Sequence, residues 1–72
     1  MSKITNSTYR RLPESTWIGT EVRLLVDLTT KAGDVFKQGE VLTIIRKYKG
    51  FELRSVDGRR IKGVSYLLIE VV

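Results

Sequence analysis

Apolar residues recur at every second position in several short stretches of this chain. In residues 21–28, Val22, Leu24, Val26 and Leu28 alternate with Arg23 and Asp27, which is the period of a half-buried strand. Leu25 interrupts the polar side, so the second face of that strand is expected to be partly covered. Residues 40–48 predict a second strand, rich in the β-branched Val41, Thr43, Ile44 and Ile45. Residues 51–55 predict a third, with Phe51 and Leu53 on one face and Glu52 and Arg54 on the other. Residues 67–72 close the chain as a last strand. Both faces of that strand are apolar until Glu70, so one of them needs a cover: Trp17, the N-terminal arm or another subunit.

The connections follow from turn chemistry. Residues 29–39 form a long irregular excursion with two glycines, and Val35 and Phe36 within it should fold back onto the core. Lys49-Gly50 predicts a turn, and Gly63-Val64-Ser65-Tyr66 a short helical turn or kink. Around Asp57-Gly58, a two-residue turn would pair Leu53 with Lys62 and mix apolar with charged residues on each face. A three-residue loop, Val56-Asp57-Gly58 with a left-handed Gly58 and a bulge, pairs Leu53 with Ile61 instead. Because register follows the buried face, the three-residue loop is preferred. It sets Arg54 opposite Arg60 and Glu52 opposite Lys62 on the outer face. Like charges facing across a ladder are unfavourable, but useful if something anionic sits on them.

Residues 1–18 show neither period and are expected to form a partly flexible arm, with Trp17 a lid over one end of the core. No segment of useful length has a helical period. Five short strands over residues 19–72 predict a single all-β domain, a small barrel with a short helical turn before its last strand.

The order of these elements resembles that of an SH3 domain. Residues 22–72 carry the resemblance: VRLLVDL for the first strand, a long loop, then DVFKQGEVLTIIRKYKGFEL and VDGRRIKGVSYLLIEV for the middle strands, distal hairpin, single turn and closing strand. The resemblance implies an SH3-like barrel. It does not imply proline-rich peptide binding. The family's first-strand tyrosines are replaced by Leu24-Leu25-Val26-Asp27-Leu28, and its tandem tryptophans by Phe51-Glu52.

Charge changes the picture most. Residues 46–62 hold seven basic side chains (Arg46, Lys47, Lys49, Arg54, Arg59, Arg60, Lys62) against Glu52 and Asp57. That excess equals the whole chain's +5; the other basic and acidic residues balance. A one-sided field of this kind attracts polyanions or acidic surfaces. The first functional reading is therefore nucleic-acid or ribonucleoprotein binding, with those seven cations supplying charge and Tyr48 and Phe51 supplying stacking surfaces. Arg10-Arg11 could add a basic arm. The alternative reading is protein interaction or homo-oligomerisation through residues 67–72.

The chain has neither cysteine nor histidine. That removes the disulfide, the commonest general base and the commonest metal ligands, so no enzyme, metal site, cofactor or small-molecule substrate is expected. Asp27 is expected at a strand end and Asp34 at the turn beside Gly33. An SH3-like barrel also serves one small family of bacterial dihydrofolate reductases, but their Gln-Ile-Tyr site pattern is absent here. With no signal-like or membrane-length apolar run, the sequence predicts a cytoplasmic protein with no membrane partner.

Overall fold

The computed structural model describes residues 2–72. The chain runs through β1 (Ser2–Lys3), α1 (Asn6–Arg11), α2 (Glu14–Trp17), β2 (Glu21–Leu24), β3 (Leu28–Thr29), β4 (Val35–Phe36), β5 (Val41–Lys47), β6 (Phe51–Arg54) and β7 (Arg60–Val64). A 3₁₀ turn (Tyr66–Leu68) and β8 (Ile69–Val71) complete it. The domain is mostly β. Its antiparallel main sheet has the order β1-β8-β2-β5-β6-β7, and β3 and β4 form a separate two-stranded ladder. The main ladder runs open from β1 to β7, and no pairing joins those two edges among the described residues.

The alternation read from the sequence builds the core. Val22 and Leu24 of β2, Leu42 and Ile44 of β5, and Phe51 and Leu53 of β6 are fully buried on one face. Phe36 and Ile69 pack into the same cluster. The β6–β7 hairpin has the register expected from its buried face: Leu53 pairs with Ile61 and Arg54 with Arg60. Ser55 N–H donates to Arg59 O at 2.8 Å, which leaves Val56-Asp57-Gly58 as the loop, with Gly58 at φ +93°. Beyond Leu53 the register shifts, so that Phe51 pairs with Val64. Glu52 thus opposes a bulge at Lys62-Gly63 rather than Lys62 alone.

Several elements differ from the sequence reading. The strand expected over residues 21–28 leaves the sheet after Leu24; Val26 is exposed, and Leu28 starts β3. Phe36 folds back as expected but Val35 is exposed, because neighbours on a strand point to opposite faces. The run expected as a strand over residues 67–72 is split. Ser65 caps the 3₁₀ turn by accepting from Leu67 N–H, so Leu67 and Leu68 are helical and only Ile69–Val71 is strand.

The largest difference lies in the N-terminal segment, where no period is visible and two short helices form. Thr5 caps α1 by accepting from Thr8 N–H at 3.1 Å, and Pro13 follows directly on the C-cap Leu12. Six and four residues are too short for an amphipathic period to register. These turns are held by packing: Ile4 and Trp17 are buried, and Tyr9 and Leu12 lie against the core. Trp17 covers the core end edge-on to Phe51, with ring centroids 5.1 Å apart; its buried indole N–H has no partner among the described residues. β1 pairs with the outer edge of β8, so that backbone edge is taken up by the chain's own N-terminal segment.

Candidate nucleic-acid interface

Two of the seven cations of residues 46–62 are committed to the fold. Lys47 points to the C-terminal end of α1, where its ammonium donates to the carbonyls of Tyr9 and of Leu12, the latter at 2.9 Å, and lies 4.6 Å from the centre of the Tyr9 ring. A cation there satisfies carbonyls that the helix end leaves open. Arg59 ties the distal loop to the β3–β4 hairpin. Its guanidinium pairs with Glu40 at 2.7 Å and Asp57 at 2.9 Å, donates to the Val35 carbonyl and covers the Phe36 ring. The Ser55 hydroxyl and the Arg59 guanidinium hold the Asp57 carboxylate down, to about 2 from 3.8.

Phe51, unlike these two half-buried cations, is removed from the surface. It is fully buried, edge-on to both Tyr9 and Trp17. Its position at the start of β6, two residues from Leu53 on the core face, gives the physical reason: one pleat puts both side chains inside. The stacking role expected for Phe51 is thereby corrected to a core role, while Lys47 and Arg59 make the internal contacts described above.

What remains converges. Arg46, Arg54, Arg60 and Lys62 are exposed on the outer face of β5–β7, with one carboxylate, Glu52, among them. Arg54 and Arg60 are direct cross-strand neighbours, and neither they nor Lys62 has an ion pair among the described residues. Arg46 reaches Glu52 only at 3.9 Å. Tyr48, 69% exposed, stands at the end of this face with the Lys49 ammonium 5.6 Å from its ring centre. Lys49 itself takes φ +49° and Gly50 φ +101°, so this turn is left-handed at both positions.

The β3–β4 loop forms a wall that the charge pattern did not reveal. Thr29, Lys31 and Asp34 face Arg46, Glu52 and Arg60 across a groove of about 720 Å³. A second hollow of about 260 Å³ continues it toward Tyr48 and shares Arg46, Glu52 and Lys62. Glu52 is a buried residue at this junction. The signal that could have found it is a lone acid on the outer face of a strand inside a basic run. Asp27 stays outside the groove, accepting from Gln38 N–H at 2.6 Å to close the base of the β3–β4 excursion. The turn beside Gly33 is closed by Thr30, whose hydroxyl accepts from Asp34 N–H at 3.1 Å.

The described residues contain no group of three acids that could hold a metal ion, and no helix long and apolar enough to cross a membrane. Of residues 67–72, Ile69 is buried and both edges of β8 are paired, while Leu67 and Val72 remain exposed. No protein-family model, no curated protein and no solved structure matches the chain.

Proposed function

We propose that this chain is a non-catalytic binding module that contacts nucleic acid or another polyanion through the outer face of β5–β7. The reading rests on one observation above all: Arg54 and Arg60 face each other across a ladder, exposed and without an acidic partner among the described residues. Such a pair is unfavourable for the sheet alone and favourable once a phosphate backbone neutralises it. Arg46 and Lys62 extend the same face, and Tyr48 offers a stacking surface beside it. We assign the architecture to an SH3-like barrel. In support, the long loop after β2, the tight β6–β7 hairpin and the single 3₁₀ turn before β8 occur in the order the resemblance implies.

The test is a fluorescence titration with short labelled single- and double-stranded oligonucleotides at two salt concentrations. Affinity that weakens steeply with salt and disappears in an Arg54→Glu/Arg60→Glu variant supports the reading. Undetectable binding at low salt defeats it. A second reading, contact with a protein or another copy of the chain, is supported by Leu67, 70% exposed on the 3₁₀ turn. Light scattering at two concentrations decides the homo-oligomer form of it, because a mass that stays monomeric removes that form.

A further inference from the structure

We infer that the groove beside the basic face reads guanine in a single-stranded nucleic acid, with Glu52 accepting the paired N–H donors of the base; this rests on the polyanion reading above. Glu52 has a side chain only 10% exposed, and its one charged partner among the described residues is Arg46 at 3.9 Å, beyond hydrogen-bond reach. No described residue donates a hydrogen bond to its carboxylate, and Glu52 lines both hollows, so its acceptor sites open into the groove. A carboxylate with free acceptor capacity therefore lines the place where the two hollows meet.

Floor and rim ask for opposite chemistries. Glu52 repels phosphate and favours N–H donors, whereas Arg46, Arg60 and Lys62 around it attract phosphate. A cationic peptide side chain would suit the floor but meets the cations of the rim. A nucleotide satisfies both, and about 720 Å³ is a size suited to a ligand of that class. Among the bases, guanine alone presents two parallel N–H groups, N1–H and N2–H, matched to the two oxygens of one carboxylate. Uracil has a single ring N–H, and adenine and cytosine have one amino group each. That edge is occupied in a duplex and open in a single strand, where bases are read on it. Tyr48 lies where a neighbouring base could stack.

The test uses the full chain and labelled eight-nucleotide uracil-rich strands carrying one central guanine, inosine, adenine or cytosine, followed by fluorescence anisotropy at low salt. Guanine is expected to bind about tenfold tighter than adenine or cytosine. Inosine, which lacks the N2 amino group, is expected to lose most of that advantage. Glu52→Gln is expected to level the four strands while keeping the salt dependence. If all four bind the wild-type protein alike, with affinity that still falls with salt, the basic face stands and the guanine assignment is overturned. If no strand binds at low salt, the polyanion reading itself fails. The inosine comparison needs no variant, so a folding defect in Glu52→Gln leaves the test decisive.

Discussion

Arg54 and Arg60 are directly opposed across the β6–β7 ladder, and both are exposed. Their relationship sets sheet stability against binding. Arg54→Glu or Arg60→Glu alone turns a like-charge pair into an opposite-charge pair, worth about 0.2–1 kcal/mol. Each single variant should raise Tm by about 1–8 °C while weakening oligonucleotide binding. The double variant restores like charges and should lose the gain in Tm as well as the binding. Thermal melts of the four proteins decide it; single variants that melt below the wild type contradict the pairing argument.

Lys47 lies in the basic run but is withdrawn to the end of α1. Lys47→Met keeps the aliphatic stem and removes the donor to the Tyr9 and Leu12 carbonyls. Loss of a charged hydrogen bond of this kind costs about 1–3 kcal/mol. Urea unfolding should register it, while oligonucleotide affinity of the folded variant changes by less than about twofold, the step expected when no direct contact is lost. A loss of binding as deep as that of Arg54→Glu would return Lys47 to the interface.

Asp57 gives the protein an acid-side pH dependence. Its folded pKa is about 2 against an ordinary 3.8, held down first by the Ser55 hydroxyl and then by Arg59. A depressed carboxylate contributes stability that is present above about pH 4 and is lost as pH falls toward 2. The stability difference between wild type and Asp57→Asn should therefore be flat at neutral pH and shrink across that window. A difference that stays constant down to pH 2 would show that the Ser55 and Arg59 contacts do not hold the carboxylate in solution.

Two glycines with similar backbone angles predict different costs. At Gly50, φ +101°, an added Cβ would come within 2.8 Å of the Val64 carbonyl oxygen. At Gly58, φ +93°, it would meet nothing within 4 Å. Gly58→Ala should cost about 1 kcal/mol from the left-handed backbone alone, and Gly50→Ala about 2 kcal/mol or more, because β7 must also shift. Equal costs by denaturant unfolding would mean that the β5–β6 turn and β7 are not in contact at that point.

Period and turn chemistry are written locally in the chain, and they carry the core and one hairpin. The alternation in β2, β5 and β6 defined the core face, and the need to match Leu53 with Ile61 defined the three-residue distal loop and the Arg54–Arg60 opposition. Those are local rules, in which a wrong register exposes a whole apolar face. The N-terminal helices, the tying of Lys47 and Arg59 into the fold, and the groove around Glu52 were decided only in three dimensions. Their partners lie far off in sequence: Lys47 on the α1 carbonyls, Arg59 on Glu40 and Val35, and the wall of the groove on the β3–β4 loop. A one-turn helix has no period to read, and a charge carries no mark of whether water or a carbonyl will solvate it. Long-range packing settles both, which is why the charge cluster was legible as a number and became a face only in the folded chain.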